Sequence, residues 1–362
     1  MTRVRSAATG LTLAATIALT GPVAADMTIG SWNLQHLGWD NGKQLDRVAQ
    51  IAQGADLWAL EEVMNSDAVT QLEHQLEQQT GEQWSSMTSH EVGRSSYQES
   101  YAYLWRDSVV EYTKGAAVYM DPGDEFAREP YLAEFRDKDD GQTVAMAAVH
   151  IVYGDSRSDR TPEVRELASI WQWMSEVYPD TPRIITGDFN LSPDNAAWQP
   201  LREQGAQPAI TSGASTLSET DGQYAHLYDN FWYDSTALDV TGNGIVQYPK
   251  LLGITNEEGR STVSDHAPIY LTIGDAKPGF SSSETSGDSS GSAADCIDLN
   301  SSSAERLDVL PNIGPARAQD IIDGRPWQSV SDLTRIDGIG PARMREIRVP
   351  GRSAVFEGRM AG

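Results

Sequence analysis

The sequence predicts a large domain of layered α/β architecture, followed by a small all-α domain on a flexible tether. Three observations carry this reading. Short apolar runs alternate with helical patterns over the first three quarters of the chain, which is the signature of sheets covered by helices. A Ser/Gly-rich stretch then interrupts the pattern at 281–292, and the string IGPAR recurs at 313–317 and 339–343 among short helical segments. At 362 residues the chain exceeds one ordinary domain, and ten Trp, thirteen Tyr and 39% hydrophobic residues supply ample core material.

The first 25 residues stand apart from the fold. Arg3 and Arg5 give a charged start, an apolar stretch runs from about Leu11 to Leu19, and Pro22-Val23-Ala24-Ala25 supplies small residues ahead of Asp26. This reads as a secretory signal peptide, so the mature protein is expected to be secreted or periplasmic. The apolar run falls well short of the ~20 residues a membrane span needs, and no membrane partner is expected. The mature chain holds one cysteine, Cys296, which rules out an internal disulfide.

The expected domains are therefore a signal peptide at 1–25, a large α/β domain at 26–274, a linker at 275–294 and a tail at 295–362. In the large domain MTIGSW (27–32), DLWALEEV (56–63), YAYLWR (101–106), TVAMAAVHIV (143–152) and RIITGDF (183–189) read as strands, followed by NFWYDS (230–235) and APIYLTI (267–273). KQLDRVAQIA (43–52) and the stretch from Thr161 to Tyr178 read as helices, the latter capped by Thr161 with Pro162 in its first turn. In the linker, SSSETSGDSSGS offers no large apolar residue to offset chain entropy. In the tail, SAERLDVL, ARAQDII, SVSDLTRI and ARMREI read as four short helices, paired around the two IGPAR turns.

The formal net charge is -25, and it is unevenly placed. Residues 26–274 hold 39 Asp/Glu against 15 Lys/Arg, whereas residues 295–362 hold 10 against 9. The large domain should repel a polyanion at long range and the tail should not. A surface this acidic suits salty water, because ~1 M salt shortens the Debye length to ~3 Å.

Nearly every strand of the large domain ends or begins at a polar group. Asn33 follows the first, Glu61 and Glu62 end the second, and Glu99 precedes YAYLWR. His150 interrupts an apolar run, Asp188 and Asn190 lie in GDFN, Asp229 lies in YDNFWY just before NFWYDS, and Asp265-His266 precede APIYLTI. Carboxylates grouped with an Asn suit a hard, oxygen-preferring cation such as Mg²⁺ or Mn²⁺. A zinc centre would want more His or Cys at close spacing. A structural Ca²⁺ is compatible with so many carboxylates, without a locatable position.

In this order, SWNLQHLG, ALEEV, VHIVYG, TGDFN and VSDHAPIY resemble the successive motifs of the endonuclease/exonuclease/phosphatase superfamily, over roughly residues 27–274. YQESYAYLWR and REPYLAEF (128–135) are similar to segments of its secreted deoxyribonuclease I type. The resemblance implies a four-layered α/β sandwich. It implies Glu62 as a metal ligand with Asn33 and Asp265 close by, and His150 and His266 as an acid/base pair oriented by Glu99 and Asp229. Asp188 and Asn190 would position the attacking water and the scissile phosphate, while Tyr97 and Arg128 would contact substrate. The implied reaction is in-line hydrolysis of a phosphodiester to a 5′-phosphate and a 3′-hydroxyl. The residues alone leave open which histidine is the base.

The tail resembles a tandem helix-hairpin-helix module of competence-type DNA receptors. In such turns backbone N–H groups at a helix start meet a phosphate oxygen. Gly314, Gly338 and Gly340 would form the turns, with Arg317 and Arg343 beside the backbone, so binding should ignore sequence. The expectation is thus a secreted, metal-dependent, non-specific endonuclease acting on DNA, with duplex DNA as partner and no protein partner. Two other readings remain: a phosphodiesterase or phosphatase acting on lipids or small phosphates, and a DNA-capture protein with an inactive catalytic domain.

Overall fold

In this computed structural model, residues 26–280 are described, and in the tail 299–300, 307, 313, 315–327, 330–336 and 338–340. The expected signal peptide, the Ser-rich part of the linker, Cys296, Gly314 and Arg343 lie outside the described residues. The chain divides into two compact units, 1–283 and 284–362.

The large unit holds twelve strands among the described residues. They are β1 (Met27–Leu37), β2 (Leu57–Val63), β3 (Trp84–Thr88), β4 (Ser100–Arg106), β5 (Val110–Val118), β6 (Tyr131–Asp137), β7 (Thr143–His150), β8 (Arg183–Asp188), β9 (Ala206–Pro208), β10 (Asp229–Asp234), β11 (Val240–Ile245) and β12 (Ile269–Ile273). One six-stranded sheet runs β11-β12-β1-β2-β4-β3 and the other β5-β6-β7-β8-β10-β9. The period of two sorts each strand between faces. Met27 and Ile29, Leu57 and Ala59, Val144 and Met146, Ile184 and Phe231 share one apolar cluster between the sheets. On the outer faces, Trp32 and Trp58 pack with α1 (Leu45–Ala52) and α2 (Ser66–Thr80), and Ala145, Ile185 and Trp232 pack with α3 (Arg157–Val177). Helices, sheet, sheet and helices make the four layers.

Strand direction then gathers one edge of the sandwich. β1 and β2 are parallel, as are β7 and β8, so their C-terminal ends lie together within each sheet. β4, β10 and β12 run antiparallel to β2, β8 and β1, so their N-terminal ends join the same edges. Polar groups that the sequence leaves at strand ends and strand starts are thereby brought to one place.

Two elements begin or end elsewhere than the sequence suggested. α3 starts at Arg157, behind a capping box of Ser156 and Asp159, not at Thr161. Pro162 sits inside the helix, where it lacks the N–H that would bond to the Ser158 carbonyl; the Thr161 hydroxyl donates to that carbonyl instead, at 3.0 Å. Residues 275–280, read as the start of the linker, are fastened to the large unit. The Gly279 amide donates to the Gly54 carbonyl at 2.8 Å, and the Phe280 ring packs against Trp58 and Tyr270.

In the small unit, α4 (Pro315–Asp323) covers ARAQDII, while SVSDLTRI forms a 3₁₀ turn over Val330–Arg335 in place of the expected α-helix. Leu299, Leu307, Ile313 and Ile321 of the first repeat share one apolar cluster with Leu333, Ile336 and Ile339 of the second. Each repeat is too small to close a core alone, and the shared cluster supplies one. Gly338 is exposed with φ +77°, a left-handed turn residue, and Gly340 is exposed with open space where a side chain would lie.

Candidate active site

β1 is interrupted at its end. Gln35 (φ +43°) and His36 (φ +61°) take left-handed conformations, and the register with β2 shifts between Asn33 and Leu37. The Asn33 carboxamide accepts from the Gln35 amide at 2.9 Å. Its Nδ2 donates to Glu62 Oε1 at 2.9 Å and faces Asp188 Oδ2 at 3.3 Å. The His36 amide donates to the other Glu62 oxygen at 3.1 Å. Glu62 itself has φ +55°, which turns it out of the strand toward a cavity of about 510 Å³. Its neighbour Glu61 stays fully buried between the sheets on Ser31 Oγ at 3.0 Å, and burial pushes its carboxyl well above the usual range. The resemblance names Glu62, and not Glu61, as a metal ligand; of the two, Glu62 is the one that lines the cavity. These contacts make Asn33 a clamp on Glu62, with its amide nitrogen toward the carboxylates.

The two histidines come from different sheets. His150, the last residue of β7, bonds Glu99 through Nδ1 at 2.7 Å, and its Nε2 lies 3.7 Å from Asp188 Oδ2 and 3.9 Å from Glu62 Oε1. Arg128 braces this corner, donating to the His150 carbonyl at 3.1 Å and lying 3.5 Å from Glu99. His266, three residues before β12, bonds Asp229 Oδ2 through Nδ1 at 2.9 Å, and its Nε2 lies 3.6 Å from the same oxygen of Asp188. The Asp229 carboxylate also accepts from Ser215 Oγ at 2.5 Å. A carboxylate on each Nδ1 leaves both Nε2 atoms facing the cavity.

Burial and charge oppose each other here. Burial alone would push both imidazoles down. Glu99 and Asp188 outweigh burial and the Arg128 charge at His150, raising it, and Asp229 and Asp188 hold His266 well above its usual value. Burial would likewise raise Glu99, but His150 and Arg128 hold it below the usual carboxylate range.

Asp188 ends β8 with its Oδ1 accepting from the Asn190 amide at 2.8 Å. Asn190 (φ +49°) lines the cavity and donates through Nδ2 to the Ile151 carbonyl at 2.9 Å. Gly187 is required beside it, since its φ is +141° and a Cβ there would stand 1.9 Å from the Val149 carbonyl oxygen. Tyr97, Arg128 and Asp265 also line the cavity. Every catalytic-domain residue that the sequence put forward thus lies at this cavity or directly behind it.

Asp188, Asp229 and His266 bring three potential ligand atoms within 4.8 Å of one another. Asp229 and the His266 Nδ1 already satisfy each other, so these form a charge-supported histidine more than a metal cage. Glu62, Asp188 and Asp265 are the carboxylates on the cavity wall outside that pair, and hard oxygens of this kind fit a divalent cation such as magnesium.

The sequence did not draw attention to Lys43, whose Nζ donates to the Val263 carbonyl at 2.7 Å between Asp265 and Glu62; burial pushes it down to about 8 against the pull of both. Ser215, Tyr228 and Arg260 were also missed, as was Tyr101, whose hydroxyl accepts from the His150 amide at 2.9 Å. Ser215 and Tyr228 come from or adjoin an irregular stretch without periodic signal. Tyr101 lay in plain view in YAYLWR, on β4 of the sheet opposite His150.

The model of the "Endonuclease/Exonuclease/phosphatase family" matches residues 30–266, well over half of the chain. The chain belongs to the endonuclease/exonuclease/phosphatase family. A second model, the helix-hairpin-helix motif, matches residues 292–349. A protein of Thioalkalivibrio sp. (strain K90mix) named deoxyribonuclease is 42% identical over 353 residues, covering 94% of this chain and 95% of that one. Human deoxyribonuclease-1-like 2 is 32% identical over 292 residues, covering 72% of this chain and 96% of its own. A solved endonuclease/exonuclease/phosphatase family structure from Bacteroides thetaiotaomicron superposes with a TM-score of 0.53 at 15% identity, over 69% of this chain and 98% of that one, a likeness of fold. With two carboxylate-backed histidines at its cavity, this family member is a hydrolase acting on phosphodiester bonds.

Proposed function

We propose that the chain is an exported, divalent-cation-dependent endonuclease. It cuts DNA without sequence preference, leaving 5′-phosphate and 3′-hydroxyl ends, while its tail binds duplex backbone. The observation that carries this reading is the convergence of His150 and His266 on Asp188 Oδ2, each with its own carboxylate behind it.

In this reading one histidine accepts a proton from water as the oxygen–phosphorus bond forms. The other donates a proton to the departing 3′-oxygen as its bond to phosphorus breaks. Glu99 and Asp229 fix the ring orientations and stabilise the imidazolium that each step leaves. Asp188 holds the attacking water from between the two Nε2 atoms, and Asn190, Tyr97 and Arg128 hold the phosphate and its neighbours. Glu62 and Asp265 would hold magnesium or manganese. The bound cation supplies charge that offsets the phosphate and polarises it.

The DNA substrate is supported by the deoxyribonuclease relatives and by the helix-hairpin-helix match. The acidic large domain would keep working in brine, where its repulsion of DNA is screened. Circular plasmid incubated with Mg²⁺ should be nicked and then linearised, over a salt series reaching 1 M. His266→Ala and His150→Ala should each cost about 10²–10⁴-fold in rate with unchanged circular dichroism. An intact circle beside degraded linear DNA would replace the endonuclease reading with an exonuclease.

A further inference from the structure

Ten tryptophans occur in the chain, and among them only Trp39 is exposed, at 49%. It stands in the loop after β1, away from the apolar clusters. Its one parallel contact is His36, with ring centroids 4.2 Å apart and planes 13° from parallel. Tyr97 meets both rings edge-on, at 5.9 Å from His36 and 6.3 Å from Trp39. The turn beneath is pinned: the Trp39 amide donates to the His36 carbonyl at 3.2 Å, and Asn41 Nδ2 donates to the same carbonyl at 3.1 Å.

This stack adjoins the catalytic cavity. His36 Nε2 is 3.4 Å from Glu62 Oε2, and Tyr97 lines the cavity wall. The left-handed kink at Gln35 and His36 that lets the His36 amide clamp Glu62 therefore also presents the Trp39 ring beside it. Burial of an apolar side chain does not explain the arrangement, because Trp39 is about half exposed. A large aromatic held by a second ring, beside a site for phosphodiesters, is a stacking platform.

We propose that Trp39, backed by His36 and edged by Tyr97, stacks on the face of an unpaired nucleobase next to the scissile phosphate. The inference rests on the nuclease reading above and adds a preference to it. A base in intact duplex has both faces covered by its neighbours, whereas a single strand, a frayed end or a melted segment offers one. Stacking also suits this domain for an electrostatic reason. The surface carries 39 acidic against 15 basic residues over 26–274, so backbone attraction contributes little. Contact between ring faces needs no net positive charge and survives high salt.

The test compares wild type, Trp39→Ala and Trp39→Phe in the full chain, on single-stranded oligodeoxyadenylate and on duplex of equal length. Trp39→Ala should raise KM on the single strand about tenfold with kcat within twofold, and should change duplex KM less than twofold. Trp39→Phe should recover most of the loss. Tryptophan fluorescence of the wild type should be quenched by the oligonucleotide, and not by a base-free deoxyribose-phosphate oligomer of the same length. Equal KM rises on both substrates would assign Trp39 to the sugar–phosphate backbone and overturn the inference. An unchanged KM, or equal quenching by the base-free oligomer, would do the same. Wild-type protein that cleaves neither substrate would defeat the nuclease reading itself, a result distinguishable from any of these.

Discussion

His150 and His266 aim their Nε2 atoms at one oxygen of Asp188, from 3.7 Å and 3.6 Å, although they belong to different sheets. The pair is near-symmetric in position but not in electrostatics. His150 shares its carboxylate Glu99 with Arg128, whereas His266 faces Asp229 and Asp188, neither of which pairs with an arginine among the described residues. Two otherwise similar imidazoles are thus given different proton affinities, which is how one site can hold an acid and a base at the same pH.

This asymmetry allows the roles to be read from pH–rate profiles. Burial alone would lower His266, yet Asp229 and Asp188 raise it well above the ordinary value. Removing the Asp229 charge in Asp229→Asn must lower it, so the limb of the profile set by His266 moves to lower pH. If that is the acid limb, His266 is the base that must lose its proton; if it is the alkaline limb, His266 is the acid that must keep it. Glu99→Gln should move the other limb in the same downward direction, because His150 loses the carboxylate that raises it. Profiles in which neither limb shifts would remove the two histidines from proton transfer.

Asn33 should matter through Glu62. Its Nδ2 holds Glu62 Oε1 at 2.9 Å while the His36 amide holds Oε2 at 3.1 Å. Asn33→Ala leaves the carboxylate in place but free to turn. The expected result is a 10–100-fold rise in the Mg²⁺ concentration for half-maximal rate, with the rate at saturating Mg²⁺ recovering most of the loss. Titration of activity against Mg²⁺ after EDTA treatment measures both quantities. A lowered maximum with unchanged metal requirement would place Asn33 on the substrate instead.

How much of this could be read beforehand follows from the physics of each element. Buried strands such as TVAMAAVHIV and RIITGDF announce themselves, because both faces are covered and the apolar run is continuous. The polar residue that ends such a run is conspicuous for the same reason, and His150 and Asp188 were legible on that account. β11 was not: TGNGI has almost no apolar signal, and Gly242 and Gly244 lie there under Thr272 and Tyr270. Lys43 was invisible because its role depends on a loop meeting Val263, far away in sequence. The start of α3 was misread because Pro162 suggests a first turn, and only the capping box at Ser156 reveals the true one.

Gly187 should be irreplaceable for stability. With φ +141° and a carbonyl oxygen 1.9 Å from where a Cβ would stand, Gly187→Ala must separate β7 from β8 at the point where His150 and Asp188 are paired. A loss of about 4 kcal/mol or more is expected, measured by chemical denaturation. Gly141→Ala is the control, since it shares a positive φ, +81°, but meets nothing within 4 Å. That control should cost about 1 kcal/mol. Similar losses for the two would mean that the strain of positive φ, and not the clash with Val149, sets the requirement.

The tail should act on substrate capture and leave the chemistry alone. Residues 295–362 carry 10 acidic and 9 basic residues, so that unit does not share the repulsion felt by the catalytic domain. A chain ended at residue 280 keeps the packed Phe280 and the whole of the large unit's described structure. Tethering replaces a second encounter with a local one, so its benefit grows with the length of DNA that both units can hold at once. Ending the chain at 280 should therefore raise KM on kilobase DNA at least about tenfold, and leave oligonucleotides too short for both units within about twofold. The kcat should be unchanged on either. Equal losses on long and short substrates would show that the tail supports the catalytic unit's structure and does not serve as a grip on DNA.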